Sequence, residues 1–435
     1  MRIFFHFFRP LPALVAVLSA ATGALGGDWP QFRGPNRDNI STETGILKAW
    51  PAEGPKVLWR TPMAQGYAGA AIRGGKVYVN DYNTAKKEHW VRCLNVADGK
   101  DVWGWSYPLD IRPNHGITRT VPAVGEKMVF SLDPKCRFHA IDAATGKLAW
   151  QKNLIQEYKA VIPQWYAGQC PLLDGDKVII ATGGDALAEA FDQATGKEVW
   201  RAPNPDKYDM SHASLMPAEI GGVRQYLYLT MKTVVGLCAE DGKILWSGPF
   251  KAKMAASPSP LLLSDGRVFV TCGYEAGSAL YKVEKGAGGF SAEKLLDIKS
   301  APPKFIPDTF NSEVHTPVIH QGHLFAVGNW KEEGGRGRGQ FSCLGPDLKV
   351  LWRSPTTFGL GSFLLADGVF FILDGDSGML RLVEAGTKEY KELAKAQVLH
   401  GEDVWGPMAL SDGKLFLRDM KEMVCIEVGS PPAAK

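Results

Sequence analysis

Short runs in which apolar and polar residues alternate recur along the chain and end at turn-forming residues, a pattern that predicts β-strands joined as hairpins. The clearest unit is Ala140–Trp150, which reads Ala-Ile-Asp-Ala-Ala-Thr-Gly-Lys-Leu-Ala-Trp. A second unit, Ala190–Trp200, nearly repeats it, and looser copies end at Trp103, Trp246 and Trp352. A strand-rich unit that recurs every roughly 40 to 50 residues is typical of a β-propeller blade.

Each repeat contains two hairpins and therefore four short strands, a sheet too small to bury both of its faces alone. The units must stack around an axis, and we expect the repeated Trp side chains to wedge between neighbouring sheets. Strand pairs are readable in eight windows: 66–103, 118–150, 167–200, 211–246, 255–297, 314–352, 359–394 and 405–429. The last window lacks its Trp-bearing strand, whereas Lys56-Val57-Leu58-Trp59 stands alone at the start. The sequence therefore predicts an all-β, eight-bladed propeller of four-stranded antiparallel blades, closed by this N-terminal strand in the last blade.

The Ala-x-Asp-x-x-Thr-Gly-Lys-x-x-Trp unit resembles the tryptophan-docking repeat of the PQQ-like β-propeller family. That family includes the quinoprotein alcohol dehydrogenases and lipoprotein B of the β-barrel assembly machinery. The resemblance covers about 370 residues by repeat pattern, although only two copies match the unit almost letter for letter. It implies the fold strongly and the function weakly, because one fold carries many functions.

Residues 1–26 combine two arginines, a short apolar run and a small-residue end, the pattern of a cleaved signal peptide without a lipobox cysteine. We therefore expect a periplasmic or secreted protein. Residues 27–55 are rich in Pro, Gly and Asn and predict an N-terminal arm, either an ordered strap anchored by Trp29 and Phe32 or a binding segment. The propeller would span 56–430, followed by a tail at 431–435.

The charge balance gives no reason to expect a nucleic-acid partner, and the cysteine spacing gives no reason to expect a disulfide-based fold. Removal of residues 1–26 leaves 47 basic and 46 acidic side chains, so nothing favours nucleic acid as a partner. The seven cysteines are odd in number, and their spacing suggests no disulfide framework. Cys93 and Cys425 occupy the slot that holds Ala140 and Ala190 in other repeats, which indicates small buried apolar residues. Which cysteines pair, if any, stays open.

The two ends of the predicted ring differ in their loops. Turns after the first and third strands are brief, whereas connections after the second and fourth are long, as at 80–89, 105–119, 153–165, 201–212 and 298–314. Binding usually occurs on loops held by a rigid scaffold. Ten residues precede the inner strands on this loop-rich face, and eightfold geometry would make them converge as a funnel: His115, Arg119, Trp165, Tyr166, His212, Ser214, Glu313, His315, Asp403 and Trp405.

Alternatives remain for each of these groups. The funnel side chains form either a small-molecule pocket or a plug in which they satisfy one another. Three histidines on separate blades would bind a metal only at the narrowest part of the channel, and we expect no metal site. Arg336 and Arg338, in a Gly-rich loop, would either hold an anion or lie on a solvated flap.

Enzymatic signatures are sparse. The resemblance to quinoprotein dehydrogenases implies adjacent cysteines under the quinone, acidic and amide ligands for calcium and a catalytic Asp, yet no two cysteines are adjacent here. Every Gly-Lys is followed by Val, Asp, Leu, Glu or Ile, which excludes a P-loop. We therefore predict a monomeric, non-catalytic module that binds a protein or small-molecule ligand, with no transmembrane segment and no cofactor. The alternatives are a divergent dehydrogenase of alcohols or sugars, with PQQ and calcium, and an outer-membrane assembly scaffold.

Overall fold

In the computed structural model, residues 27–274, 276–298, 310–328 and 339–429 have a described structure. They form eight four-stranded antiparallel blades, one for each predicted repeat, arranged as an eight-bladed β-propeller, and one blade carries a fifth, parallel strand. One short helix, α1 (Leu154–Tyr158), lies in the connection between the second and third blades. The predicted fold class is confirmed, and the repeat pattern was sufficient to count the blades.

The strands follow the chain from the inner to the outer edge of each blade. Two strands precede the first blade: β1 (Ile40–Ser41) and β2 (Val57–Pro62). Blade 1 contains β3 (Ala71–Arg73), β4 (Lys76–Asn83), β5 (Glu88–Asn95) and β6 (Asp101–Pro108). Blade 2 contains β7 (Ala123–Val124), β8 (Met128–Leu132), β9 (Arg137–Asp142) and β10 (Leu148–Asn153). Blade 3 contains β11 (Leu172–Asp174), β12 (Lys177–Gly183), β13 (Ala186–Asp192) and β14 (Glu198–Pro203). Blade 4 contains β15 (Met216–Ile220), β16 (Val223–Leu229), β17 (Thr233–Cys238) and β18 (Ile244–Pro249).

The second half of the ring repeats this order. Blade 5 contains β19 (Leu261–Leu262), β20 (Arg267–Cys272), β21 (Gly277–Gly286) and β22 (Gly289–Ile298). Blade 6 contains β23 (Val318–His320), β24 (His323–Gly328), β25 (Gln340–Leu344) and β26 (Val350–Thr357). Blade 7 contains β27 (Phe363–Ala366), β28 (Val369–Leu373), β29 (Met379–Glu384) and β30 (Glu392–Gln397). Blade 8 contains β31 (Ala409–Ser411), β32 (Lys414–Arg418) and β33 (Glu422–Glu427), completed by β2.

The closing strand pairs as the sequence predicts. β2 runs antiparallel to β33, with Trp59 opposite Cys425 and Arg60 opposite Val424. Cys425 is fully buried, as is Cys93, and none of the seven cysteines forms a disulfide. The ring therefore leaves no unpaired edge at the chain ends.

One loop prediction was wrong. The stretch from Asn80 to His89 was expected to be a long connection, yet β4 continues to Asn83 and β5 begins at Glu88. The two strands pair to their ends, with Tyr82 opposite His89, and only residues 84–87 form the turn. Polar residues in this stretch hid the strands, because alternation over a few positions does not distinguish a polar strand from a loop.

The core lies between blades. The middle strands are covered on both faces by neighbouring sheets and are buried along nearly their whole length, as in β28. Outer strands alternate between exposed and buried residues, as in β14. This difference explains why the middle strands show continuous apolar runs in the sequence and the outer strands show alternation.

Four repeated Trp side chains dock on the next blade. The indole Nε1 groups of Trp59, Trp103, Trp150 and Trp200 donate to the carbonyl oxygens of Val96, Ala143, Gln193 and Ala239. Each indole also covers a glycine of the same turn, as Trp150 covers Gly196. The predicted packing of Trp between blades is thus confirmed for these four side chains. The turn glycine is needed because a larger residue would collide with the indole.

Two further Trp side chains behave differently. Trp246 donates to the Gln225 Oε1 of its own blade at 2.8 Å. Trp352 lies 6.0 Å from Tyr390 of blade 7, ring centroid to ring centroid, but its indole nitrogen has no partner among the described residues. The turn of blade 5, between β21 and β22, lacks the Gly-Lys pair present in the four turns on which the other indoles dock, and it offers Trp246 no docking turn.

The N-terminal segment crosses the axis of the ring. Trp29 exchanges two backbone hydrogen bonds with Ile72 of blade 1, and Arg37 donates to the carbonyl oxygen of Pro171 in the approach to blade 3. Arg33 donates to the carbonyl oxygen of Thr316, beside blade 6. β1 then adds to β27 of blade 7 as a parallel strand. Because blades 3 and 7 face each other across the ring, residues 29–41 must pass through its centre, and we name them the axial segment.

Candidate functional site

The candidate residues lie on successive connections that enter the inner strands from the loop-rich face. His115 and Arg119 lie between β6 and β7, Trp165 and Tyr166 between β10 and β11, His212 and Ser214 between β14 and β15, Glu313 and His315 before β23, and Asp403 and Trp405 between β30 and β31. The structure joins some of them into two clusters, and the others lie outside these clusters.

The first cluster consists of Tyr67, Arg119, Asp403 and Trp405, and we name it the Tyr67 cluster. Tyr67 stacks on Trp405 with ring centroids 4.9 Å apart and an interplanar angle of 13°. The Arg119 guanidinium lies 5.6 Å from the centre of the Tyr67 ring, a cation–π contact. The Tyr67 hydroxyl donates to Asp403 Oδ2 at 3.3 Å. Burial lowers the pKa of Arg119 to about 10, so the side chain remains a cation at neutral pH.

The second cluster consists of Trp165, His212, Tyr274 and Glu313, and we name it the Trp165 cluster. Trp165 stacks on Tyr274 at 6.2 Å with an interplanar angle of 8°, and it contacts His212 at 6.3 Å. Burial raises the pKa of Glu313, and a hydrogen bond from Tyr274 opposes that shift. Burial, followed by the charge of Arg119, lowers the pKa of His212 to about 4, so this imidazole is neutral at pH 7.

Each cluster leaves a buried polar atom without a partner. Neither Trp405 Nε1 nor His212 Nε2 has a hydrogen-bond partner among the described residues. An unsatisfied buried polar atom costs about 1–3 kcal/mol, so water or a ligand group at these positions would be stabilising. The two clusters therefore offer an indole donor and a neutral imidazole beside a cation.

Four candidates lie outside both clusters. His115 is exposed and has a left-handed backbone, with φ at 57°. The Tyr166 hydroxyl donates to the Arg112 carbonyl at 2.7 Å. His315 Nε2 lies 2.8 Å from the Leu360 carbonyl oxygen, and burial lowers the pKa of His315 to about 4. The fourth, Ser214, belongs to a series of hydrogen bonds that follows part of the channel wall.

That series, which we name the girdle, joins the approaches to blades 2 to 6. Each backbone N–H donates to the side chain at the equivalent place in the next blade: Val121 to Cys170 Sγ at 3.3 Å, Cys170 to Ser214 Oγ at 2.9 Å, Ser214 to Ser259 Oγ at 3.0 Å and Ser259 to Thr316 Oγ1 at 2.8 Å. The Ser214 hydroxyl is thus used in linking blades. A short polar side chain two residues before an inner strand, often followed by Pro, is the sequence signal for this girdle.

The axial segment closes the channel beneath the girdle. Arg37 donates to the carbonyl oxygens of Pro171 and Cys170, and Arg33 donates to those of Thr316 and Pro317. Both guanidinium groups are buried. The Arg33 charge adds to burial in lowering the pKa of His315, so the axial segment reaches the neighbourhood of the predicted funnel.

The other predictions concerned an anion-binding loop and a metal ion. Arg336 and Arg338 lie outside the described residues. Within the described ranges, no three His, Cys, Asp or Glu side chains converge in a way that could hold a metal ion. The three funnel histidines have separate surroundings, as described above.

A surface cleft of about 400 Å³ lies beside the closing strand and was not predicted. Its acidic groups are already engaged. Asp419 accepts the backbone N–H groups of Gly401, Lys421 and Glu422, and the Glu422 carboxylate pairs with Arg60 at 2.6 Å. Because its carboxylates are already bound by a guanidinium and by backbone N–H groups, the cleft indicates no particular class of ligand.

Comparison with known proteins adds a family signal. A protein-family model described as outer membrane protein assembly factor BamB matches residues 87–286. The dehydrogenase subunit of the quinone-type alcohol dehydrogenase of Gluconobacter oxydans (strain 621H) is 29% identical over 216 residues. That match covers 44% of this chain and 27% of the relative, so the chain matches only about a quarter of that protein's length.

Solved structures agree on the architecture. A europium-containing methanol dehydrogenase superposes with a TM-score of 0.63 at 14% identity, covering 92% of this chain and 89% of the other. BamB from Moraxella catarrhalis superposes with a TM-score of 0.58 at 12% identity, covering 86% of this chain and 99% of the other. The chain is a β-propeller with PQQ-like repeats. At these identities the structural likeness of this PQQ-like propeller concerns its fold alone.

The two stacked aromatic pairs of this propeller leave no room for a planar quinone between their rings. A ring held between two aromatic planes needs about 7 Å between them, because each contact takes about 3.5 Å. The Tyr67–Trp405 and Trp165–Tyr274 pairs are nearly parallel but have centroids only 4.9 and 6.2 Å apart. Within the described part of the chain, no three acidic, His or Cys side chains converge as cation ligands. In this arrangement the aromatic residues satisfy one another.

Tyr67 and Tyr274 were not among the residues predicted for the site. Tyr67 stands four residues before its inner strand, β3, and Arg119, His212 and Trp405 stand four residues before β7, β15 and β31. Alignment of the repeats on that position would have found Tyr67. Tyr274 lies in a turn between β20 and β21, where no repeated pattern marks it. In the described part of this PQQ-like propeller, no helix is both long and apolar enough to cross a bilayer.

Proposed function

We propose that the protein is a non-catalytic, exported binding module that acts as a monomer and holds a protein partner or small-molecule ligand on its loop-rich face. The observation that carries this proposal is the pair of aromatic and charged clusters, built from separate connections of one rigid ring. Trp405 Nε1 and His212 Nε2 supply unpartnered polar groups there. Such groups, set among aromatic walls, suit specific recognition. The pattern of residues 1–26 supports export.

Small-molecule binding is tested by native mass spectrometry of the purified full chain, which reports any mass retained. Retention should be lost in Trp165→Ala and Arg119→Ala and kept in Phe290→Ala, because Phe290 lies in the blade 5 hairpin near the opposite face. Loss in all three variants, or in none, would contradict a site on the loop-rich face.

Protein binding is tested with the same variants. The immobilised full chain is exposed to an extract of its own cell envelope, and bound proteins are quantified against the Phe290→Ala control. A partner that depends on Trp165 and Arg119, and whose purified form binds saturably, supports the proposal. A partner profile identical in all variants contradicts it. An outer-membrane protein as the partner would favour the assembly role named in the family description matched by residues 87–286.

A PQQ-dependent dehydrogenase of alcohols or sugars is the second candidate, favoured by the sequence match to the quinone-type alcohol dehydrogenase. Addition of PQQ with calcium should then raise the melting temperature, because a ligand that binds only the folded state stabilises it. It should also support dye reduction with an alcohol or sugar. We expect neither effect from the closed aromatic pairs, and a saturable rise in melting temperature with dye reduction would replace the first candidate with the second.

A further inference from the structure

The axial segment, residues 29–41, contacts five of the eight blades. Trp29 pairs with Ile72 of blade 1, and the Pro30 carbonyl accepts the Val124 N–H of blade 2 at 2.7 Å. The arginines reach blades 3 and 6, and the Asn39 carbonyl accepts the Leu365 N–H of blade 7 at 3.1 Å. A segment that touches opposite sides of a ring fills its centre.

Its two arginines are held mainly by backbone. Arg37 is fully buried, and its partners among the described residues are the carbonyl oxygens of Cys170 and Pro171 and the Gln31 side-chain amide. Arg33 donates to the carbonyl oxygens of Thr316 and Pro317 in the ring and to two carbonyl oxygens of its own segment, those of Arg37 and Asp38. Asp38 is also the acidic group near it. Backbone carbonyl oxygens just before the inner strands of blades 3 and 6 thus face the channel and accept hydrogen bonds from guanidinium groups.

The conformation of the axial segment depends on the channel. Arg33, Arg37 and Asn39 all have left-handed backbones, with φ at 65°, 59° and 65°. Non-glycine residues rarely adopt this conformation unless their surroundings impose it. Three such residues within seven positions indicate a peptide shaped by what it binds.

Ring closure does not use these residues. β2, which completes blade 8, begins at Val57, and residues 42–56 separate it from the axial segment. Release of the axial segment would therefore leave every blade with its four strands.

We infer that the central channel is an intramolecular peptide-binding site whose ligand is residues 29–41, and that this segment releases as a unit while the ring stays closed. Release opens the channel at the end opposite the loop-rich face. This inference is independent of the proposed function, because it invokes no external ligand.

Thiol labelling tests the inference, because Cys170 lies on the channel wall and its carbonyl accepts from Arg37. Cys93 and Cys343 are equally buried but lie within β5 and β25, between blades. In native conditions, Arg37→Gln should raise the labelling rate of Cys170 at least tenfold and leave those of Cys93 and Cys343 unchanged, as read by peptide mass spectrometry. Lys48→Gln, which removes an ion pair with Asp367 outside the channel, is the matched control and should change none of them.

Two outcomes overturn the inference: no change at Cys170, or equal acceleration at all three cysteines, which would mean that the segment leaves only when the ring unfolds. If Arg37→Gln does not fold, the wild-type chain gives the same distinction. Low urea should then accelerate labelling of Cys170 before that of Cys93 and Cys343, and coincident labelling of the three would refute independent release.

Discussion

The indole Nε1 of Trp59 donates to the carbonyl oxygen of Val96 at 2.8 Å, so the strand that completes the last blade is also fixed to the first. The same contact passes from Trp103 to blade 2, from Trp150 to blade 3 and from Trp200 to blade 4. A continuous series of indole bonds thus links five consecutive blades across the closure.

The hydrogen bond of Trp59 can be isolated by comparison with Trp352. The two side chains are similarly buried, at 7% and 9% exposed, but Trp352 Nε1 has no partner among the described residues. Substitution by Phe removes similar ring volume at both sites. We expect Trp59→Phe to lower the free energy of unfolding by about 1–1.5 kcal/mol more than Trp352→Phe, because it leaves the Val96 carbonyl unpaired. Urea unfolding of both variants measures the difference, and equal losses would show that docking rests on packing alone.

The turn glycine beneath each docked indole should tolerate no side chain. Gly196 has φ at 68°, and an added Cβ would lie 2.6 Å from Trp150 Cδ2. Gly75 has a similar φ of 72° with no atom within 4 Å of that position. Gly75→Ala should therefore cost about 1 kcal/mol from backbone strain. Gly196→Ala should cost about 1–3 kcal/mol more, because the indole must move. Thermal and urea unfolding compare the two, and matched losses would contradict the close contact.

Repeated local chemistry explains what the sequence could predict. The Gly-Lys turn and the Trp that follows it recur at fixed spacing, so strand pairing, blade number and the closing role of Trp59 could all be predicted. The absence of that turn from blade 5 also accounts for the inward hydrogen bond of Trp246 to Gln225. Where the pattern is local and repeated, sequence and structure agree.

Side chains that hydrogen-bond to backbone groups far away in the sequence could not be predicted in this way. Arg37 binds a carbonyl oxygen 134 positions away, and a carbonyl oxygen carries no side-chain signature in the sequence. The stacking of Tyr67 on Trp405 joins opposite ends of the propeller sequence, so only ring closure brings the two together. The ten funnel positions were chosen by their place before the inner strands, which says where a side chain begins but not which neighbour it contacts.

The connection that carries Arg119 should depend on that side chain. Arg119 Nη1 donates to the Gly116 carbonyl at 2.8 Å and Nη2 to the Asn114 carbonyl at 2.7 Å, so one guanidinium holds its own loop. A lysine ammonium keeps the charge but lacks this fork. Arg119→Lys should accelerate amide hydrogen exchange in residues 112–119 about tenfold, the equivalent of about 1.4 kcal/mol. The exposed Arg112→Lys is the control, and equal protection in both variants would show that the loop is held by other contacts.

Acid should destabilise the protein through its buried histidines, and His315 provides a specific test. Its imidazole is partly buried against Phe363 and the Leu360 carbonyl, and desolvation lowers its pKa from 6.5 to about 4. In the unfolded chain the His315 imidazole takes up a proton as the pH falls below about 6.5. In the folded chain the same imidazole becomes protonated only near pH 4. The stability that the neutral form contributes is therefore complete above pH 6.5 and is lost as the pH falls through that window.

The variant His315→Gln removes this titration and lets other groups cancel in the comparison. Asp133 and Glu189, whose pKa values burial raises to about 7 and about 8, titrate in both proteins. The difference in unfolding free energy between wild type and His315→Gln should shrink by about 3 kcal/mol from pH 7 to pH 4, following the pKa shift. Urea unfolding at four pH values measures it. A difference that stays constant, or grows as the pH falls, would mean that the folded protein accommodates the imidazolium form of His315.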